Sequence, residues 1–273
     1  MNRVLYKNNS GLTDISSQMS NYLSKDYTFN YGVDDFIYIG ARLPFNHLFV
    51  KLNKVNETAN NAKIEYYDGN IWREVVDVID STNGLTESGH IEFTPDKEHP
   101  WWRYDTNYSL SKIEELKDVV IYDRFWLRIS FNENLTEVTL NYLGNLFSDD
   151  DDLKIEYPDL LRSNVLEAFQ AGKTNWQDQH LRASQVIIKD LIDIGVIDEK
   201  GQILNWRDYS DASIHKVAEM VFNSFGDSYV DNSVMARQEY KSRISKRIHR
   251  VDRNKNAIED INESHTPTGF MQR

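Results

Sequence analysis

The sequence predicts a two-domain α+β protein, with an N-terminal antiparallel β-sandwich and a C-terminal four-helix bundle that ends in an extended arm. Up to about residue 147 the apolar runs are short, rich in β-branched and aromatic residues, and separated by turn residues, which favours an antiparallel sandwich or barrel. After the four aspartates 149–152 the apolar residues recur with a helical period. A length of 273 residues suffices for one large domain or two modest ones.

Six segments of the first half alternate as strands do. They are residues 35–39, 48–52, 63–67, 91–93, 126–131 and 138–142. Asp68-Gly69, directly after the third segment, is the strongest hairpin signal, because glycine tolerates the positive φ of such turns. Residues 1–30 are polar and receive no assignment. We expect this domain to span residues 1–148.

An acidic linker at residues 149–157 is expected next, extended by the mutual repulsion of its aspartates. The helical domain should then occupy residues 158–252. Its first helix is indicated by Leu161, Val165 and Phe169, which are spaced for one helix face between Pro158 and Gly172. An initial proline and a terminal glycine are typical of helix boundaries.

Three further helices follow in the pattern. Thr174 and Gln177 resemble a capping box and open the second helix, which should stop at Gly195. Ser210 opens the third, and Gly226 closes it. The fourth is predicted over residues 232–251, with apolar residues in register at Tyr240, Ile244, Ile248 and Val251. Residues 253–273 form the predicted arm.

The net charge is unevenly distributed along the chain. The formal total of −12 argues against a surface that coats nucleic acid or an anionic membrane. Residues 236–273 contain nine basic and five acidic residues, a formal +4, which leaves −16 on residues 1–235. No stretch approaches the ~18 apolar residues of a membrane span, and we expect no membrane association.

Catalytic motifs are missing from the sequence. It has no cysteine, no Gly-x-Ser-x-Gly, no His-Glu-x-x-His and neither glycine-rich phosphate motif. The seven histidines show no metal-ligand spacing. We therefore expect no enzymatic activity, no cofactor and no metal, and a hydrolase with carboxylate chemistry stays as a minor hypothesis.

Two acidic stretches are weighed as cation sites. The run Asp149–Asp152 could hold a divalent cation, but an interdomain linker is the favoured interpretation. Residues 252–263 have the Asp-x-Asn-x-Asn pattern of a calcium loop, with Glu263 at the twelfth position. Ala257 stands where that loop needs glycine, and Glu259 where an apolar residue is expected. A helix end followed by a polar turn is favoured.

Three tryptophans of the first half could bind a glycan. Trp72, Trp101 and Trp102 would form a sugar-stacking platform if they were exposed together in a line, which gives the hypothesis of a carbohydrate-binding module on a helical stalk. Packing in a core or an interface is the favoured interpretation, as for Trp126, which lies in an alternating strand.

The fourth helix and the residues after it are rich in cations, and these are the candidate partner contacts. They are Arg237, Lys241, Arg243, Lys246, Arg247, Arg250 and Arg253. A solvated face and a surface that docks on an acidic partner or faces packaged DNA are both open. Seven cations close together repel one another, which favours a partner.

Four segments of the second half carry a family resemblance. They are Asp159-Leu160-Leu161-Arg162, Ala183-Ser184-x-x-Ile187-Ile188, Asp211-Ala212-Ser213-Ile214-His215-Lys216-Val217-Ala218-Glu219-Met220-Val221-Phe222, and Glu239-Tyr240-Lys241-x-Arg243-x-x-x-Arg247 followed by Val251-Asp252-x-Asn254-x-Asn256. Together they resemble the helical head-to-tail adaptor (connector) proteins of tailed bacteriophages, over about residues 155–262. The likeness is one of helix order, helix length and a basic last helix.

The β half resembles another group of phage proteins. Its segments are Tyr66-Tyr67-Asp68-Gly69-x-x-Trp72, Asp80-x-Thr82-x-Gly84-Leu85-Thr86-x-Ser88-Gly89-x-Ile91-x-Phe93 and Phe125-Trp126-Leu127-Arg128-Ile129. They are similar to β-sandwich modules of virion tail, neck and baseplate proteins. Typical adaptors consist of the helical bundle alone, so the preceding β-domain favours a neck decoration or a baseplate part as the alternative.

The resemblance implies a structural virion protein of the neck, made in the host cytoplasm, that joins the capsid portal to the tail. The implied partners are the portal, other neck or tail proteins, and further copies of the chain in a ring, expected to be dodecameric. DNA would pass through this ring without sequence-specific binding. The arm at residues 253–273, with Phe270 as a contact, would dock on the portal or on the next neck protein.

Overall fold

The computed structural model describes residues 3–23, 25–104, 116, 124–246, 249–260 and 264–265. Within these residues the chain is α+β, with antiparallel sheets and with most of its helices in the C-terminal half, as predicted. It divides into two compact units. The β unit holds the described residues of Met1–Gly144 and Asp252–Asp260, and the helical unit those of Asn145–Val251 and Ile261–Arg273. No helix among the described residues is long and apolar enough to cross a membrane.

The β unit consists of two antiparallel sheets and one short helix, α1 (Ser16–Met19). Its strands are β1 (Arg3–Asn8), β2 (Gly11–Asp14), β3 (Tyr27–Asn30), β4 (Phe36–Ala41), β5 (His47–Lys54), β6 (Ala62–Tyr67), β7 (Trp72–Glu74), β8 (Val76–Asp80), β9 (Gly89–Thr94), β10 (Arg103–Tyr104), β11 (Arg124–Phe131) and β12 (Glu137–Gly144). The larger sheet has the order β2-β1-β4-β11-β6-β7, with β10 beside β11, and the smaller sheet has the order β3-β12-β5-β9-β8.

Alternating apolar residues explain why the two sheets share one core. Ile37 and Ile39 of β4 are buried in the same hydrophobic cluster as Leu48 and Val50 of β5, because residues two apart on a strand face the same side. All six segments predicted as strands form strands. The hairpin predicted at Asp68-Gly69 is confirmed, since it joins the paired strands β6 and β7.

A second, aromatic cluster covers part of the larger sheet. It contains Leu5, Tyr38, Tyr67, Leu116 and Trp126. Trp126 lies opposite Gly40 across the pair of β11 and β4. A Cβ atom at Gly40 would lie 2.8 Å from the indole ring. The missing side chain therefore makes room for the tryptophan.

The helical unit contains three long helices and several short elements. The helices are α2 (Asp150–Glu156), α3 (Ser163–Phe169), α4 (Gln177–Asp193), α5 (Ser210–Ser224) and α6 (Val230–Lys246), with 3-10 turns at Pro158–Leu161, Lys200–Gln202, Trp206–Tyr209 and Gly226–Tyr229. After α6 the short strands β13 (His249–Arg250) and β14 (Ser264–His265) pair, and Val251 bridges to Ile203.

The expectation of an extended acidic linker is wrong. Asp149 is the N-cap of α2, and its carboxylate accepts the backbone N–H groups of Asp151 and Asp152. Asp152 in turn accepts the N–H of Asp149, which completes a capping box. The aspartates begin a helix because carboxylates stabilise the N-H groups and the positive dipole end of a first turn, which outweighs their mutual repulsion.

Several helix boundaries also differ from the prediction. The first predicted helix is split into a 3-10 turn and α3, which ends at Phe169. No side-chain hydrogen bond caps α4, which begins after Trp176, so the expected capping box at Thr174 is absent. The last helix ends at Lys246 rather than Val251, and Ile248 lies outside the described residues. Residues 252–260, expected to belong to the bundle and the arm, group with the β unit.

We predict that Gly40→Ala destabilises the β unit by about 1–3 kcal/mol, since the new methyl group would force Trp126 out of its position. Chemical denaturation followed by tryptophan fluorescence would measure the loss. Gly32→Ala is the matched control, because its Cβ would meet nothing closer than 3.7 Å. Equal effects of the two substitutions would contradict the prediction.

Candidate functional site

A chain of polar side chains lies inside the helical unit; we call it the buried relay (Asp150, His180, Ser148 and Ser213). Ser148 Oγ lies 2.7 Å from His180 Nδ1 and donates to Ser213 Oγ at 2.6 Å. The other ring nitrogen of His180 lies 3.2 Å from the Asp150 carboxylate. The relay links the first turn of α2, the helices α4 and α5, and the segment that leads into α2.

The local sequence explains how each member of the relay is positioned. Asp150 follows the N-cap of α2, and its carboxylate also accepts the backbone N–H of Trp176 at 3.2 Å. Trp176 directly precedes α4, so this hydrogen bond connects the start of α2 to the start of α4. Ser184 extends the network, since it accepts the N–H of Phe147 and donates to the carbonyl of His180.

The relay contains the three residue types of a serine hydrolase, which the sequence did not reveal. A nucleophilic serine must be reachable by a substrate carbonyl. Ser148 and His180 are each only 1% exposed, so neither is accessible from solvent in this conformation. The arrangement gives hydrogen-bond partners to two hydroxyls and an imidazole, whose burial without partners would cost free energy.

An open groove lies elsewhere in the same unit; we call it the aromatic groove. Its volume is about 530 Å³. The aromatic residues that line it are Tyr157, Phe222, Phe225 and Tyr229. Glu156, Asp159 and Arg162 also line it, and Arg162 pairs with Asp159 at 2.6 Å. A concave surface with apolar walls and a few charges is typical of a binding site.

A histidine lies behind one wall of the groove. His215 Nδ1 is 2.8 Å from the hydroxyl of Tyr157. Burial lowers the pKa of His215, and the nearby Arg243 lowers it further, while Glu239, Glu156 and Asp211 act against the shift. Burial also raises the pKa of Tyr157. Both groups are therefore neutral near pH 7, and their contact fixes the tyrosine ring in the wall.

Side chains on the inner face of α6 form hydrogen bonds with α5 and α4. Arg237 donates to Glu219 of α5 at 2.7 Å, and Lys216 donates to the other oxygen of the same carboxylate at 2.8 Å. Burial alone would raise the pKa of Glu219, but these two hydrogen bonds lower it. Tyr240 donates to Asp190 of α4, and burial together with this bond raises the pKa of Tyr240.

The helix α6 also carries an exposed row of side chains, which we call the α6 stripe (Val230, Val234 and Lys241). These residues follow the helical spacing that places side chains along one face. Val230 and Val234 are exposed large apolar residues, and Lys241 is exposed. Met235, next to the stripe, is 66% exposed. The stripe therefore consists of two aliphatic side chains followed by one lysine.

The predicted partner contacts are thus distributed over different environments. Arg237 belongs to the ion-pair network with Glu219, and Arg243 lies 3.8 Å from Glu239. Arg250 is in β13 and Arg253 in the following turn, both beyond the helix. Arg247, Phe270 and the side chain of Lys246 lie outside the described residues.

The three tryptophans proposed as a glycan platform are not exposed in a line. Trp101 is 6% exposed and stacks on Tyr66 in the core of the β unit. Trp72 is half-buried and contacts the Arg128 guanidinium, 4.7 Å from the ring centre. Trp102 is 59% exposed and lies against Gly69. Trp101 is thus packed in the core, and Trp72 is packed against Arg128. The three rings therefore do not form a shared platform for a sugar in this conformation.

Neither acidic stretch forms a metal cluster in the part of the chain that the structure describes. The carboxylate of the buried Asp252 accepts the backbone N–H groups of Asn256 and Ala257, at 3.1 and 2.7 Å. Ala257 adopts a φ of 62°, so the left-handed turn expected to require glycine forms with alanine. Glu263 lies outside the described residues.

The chain matches no model of a protein family, and no curated protein matches it. The function must therefore be inferred from the relay, the groove and the exposed faces described above.

We predict that Ser148→Ala lowers the free energy of unfolding by about 1–3 kcal/mol, because it leaves His180 and Ser213 without their buried partner. Urea denaturation followed by circular dichroism would measure it. The exposed Ser245→Ala on α6 is the matched control and should change the value by less than about 0.5 kcal/mol. A neutral result for Ser148→Ala would contradict the structural role of the relay.

The lowered pKa of Glu219 predicts a loss of stability in acid. Its charged form contributes stability that is fully present above its ordinary pKa of 4.5 and is lost as the pH falls through the lower pKa of the folded state. Glu219→Gln should therefore unfold more easily than the wild type at pH 7, and the difference should shrink below pH 4.5. Urea denaturation across this range would test it, with the exposed Glu167→Gln as control. A difference independent of pH would contradict the prediction.

Proposed function

We propose that this chain is a structural virion protein of a tailed bacteriophage, a head-to-tail adaptor that joins the capsid portal to the tail as a ring around the DNA channel. In this proposal the helical unit forms the ring by side-to-side contacts. The β unit projects outward or bridges to a neighbouring neck protein. Portal and tail proteins are the partners, and DNA passes without sequence-specific contact.

The observation that carries the proposal is the outer surface of the helical unit. Monomeric soluble proteins cover most of their large apolar side chains, and contiguous exposed ones mark interaction surfaces. Here Val230, Val234 and Met235 are exposed on one helix, next to Tyr229 at the mouth of the aromatic groove. Such a surface suits a chain that is buried in an assembly.

The finer features of the fold belong to the same proposal. The shared core of the two sheets suits a β-sandwich of the kind appended to neck and tail proteins. The helices α4, α5 and α6 with the short α2 and α3 suit an adaptor-like bundle, in which ring contacts are made by helix faces. The inaccessible Ser148 and His180 favour an architectural role over hydrolysis.

Binding to the portal tests the proposed function. Purified protein mixed with purified portal rings should co-elute with them on size exclusion and add a ring of density in negative-stain micrographs. Because salt screens exposed charges, we expect the complex to weaken as the ionic strength rises. A protein that stays separate from the portal at low and high salt would overturn the proposal. A monomer in the absence of portal decides nothing.

A further inference from the structure

A second exposed helix face complements the α6 stripe; we call it the α2 face (Asp151, Ile155 and Glu156). Ile155 is 78% exposed, although Leu153 of the same helix is fully buried in the core. Asp151 lies one helical turn before Ile155, and Glu156 directly follows it. Most of the apolar surface of Ile155 is therefore in contact with solvent.

The two faces have matching and opposite chemistry. The α2 face presents an aliphatic side chain among carboxylates, with Lys154 as the one cation in the sequence of α2. The α6 stripe presents two aliphatic side chains followed by one exposed lysine. With a rise of 1.5 Å per residue, Asp151 lies about 6 Å along the helix from Ile155, and Lys241 about 10 Å from Val234. The long lysine side chain can close the difference.

We propose that the α2 face of one copy docks on the α6 stripe of a second copy, with Ile155 against Val230 and Val234, and with Asp151 facing Lys241. This inference rests on the proposed function, because it names the contact by which the ring would close. Two different faces of one chain meet, so each copy can bind one neighbour through each face. Such a heterologous contact produces a closed ring or an open filament.

The occupant is a second copy because the two faces have complementary charges, with carboxylates on the α2 face and a lysine on the α6 stripe. Charge complementarity across an interface sets register and disfavours wrong pairings. Two α2 faces would bring carboxylates together, and two α6 stripes would bring the Lys241 ammonium groups together. Either symmetric pairing is repulsive, which leaves the mixed pairing.

The absence of cysteine from the sequence permits a direct test. Ile155→Cys and Val234→Cys are made in separate full-length chains, mixed at equal concentration and oxidised mildly, and the disulfide-linked dimers are counted by mass spectrometry. We expect mixed dimers to form about tenfold or more above the pair of Ile155→Cys with Ile71→Cys, because a specific contact raises the effective thiol concentration. Ile71 is an exposed apolar residue of the β unit.

Charge reversal provides the second arm of the test. Adding Lys241→Glu to the Val234→Cys chain should reduce the mixed dimer to the control level, and so should adding Asp151→Lys to the Ile155→Cys chain. Combining the two reversed chains should restore it. A mixed dimer at the control level, an excess of either symmetric dimer, or no restoration by the combined reversal would each overturn the proposal.

The outcome is independent of portal binding. A chain that does not bind the portal but still forms the mixed dimer would contradict the proposed function and support this contact. A chain that binds the portal without forming the mixed dimer would contradict only the proposed contact.

Discussion

The buried relay is the constraint on which the helical unit depends. A buried imidazole, two hydroxyls and a half-buried carboxylate must each find partners, and a partly satisfied network costs more than an apolar core. His180 of α4 and Ser213 of α5 meet at Ser148, while Asp150 of α2 reaches the other side of the imidazole. Sliding any of these helices by one residue would separate at least one pair. The relay therefore fixes how the helices align.

The position of α2 has consequences for the surface. Because Asp150 is held by His180 and by the N–H of Trp176, just before α4, the helix α2 begins at a defined place and angle. Leu153 then enters the core, and Ile155 must face outward on the opposite side. Tyr157, at the end of the same helix, reaches the groove and His215. The half-buried carboxylate of Asp150 thus determines both the exposed isoleucine and one wall of the groove.

The strands were largely predictable from the sequence, and the relay was not. Alternating residues such as Ile37 and Ile39 signal a half-buried strand locally, because strand periodicity needs no information about neighbours. Ser148, His180 and Ser213 are far apart in sequence and resemble ordinary polar residues until the helices pack. The aspartates 149–152 begin a helix instead of forming an extended linker. Repulsion between their carboxylates favours an extended chain, but the same carboxylates cap the first turn of α2, and the capping dominates. Trp101 and Trp102 are adjacent, and only packing decides that the first is buried.

Some of the cations of α6 form ion pairs within the chain, so the helix is less basic at its surface than its sequence indicates. A count of seven cations suggests a uniformly basic surface. Arg237 is instead held by Glu219 on the inner side, where it supports the fold, and Arg243 lies near Glu239. Lys241 points outward beyond two valines. The α6 stripe, with two valines and one lysine, is better suited to binding a particular protein surface than to attracting a polyanion. The apolar area supplies affinity, and the charge sets the register of the contact. The acidic α2 face of a neighbouring copy has the chemistry that the α6 stripe selects.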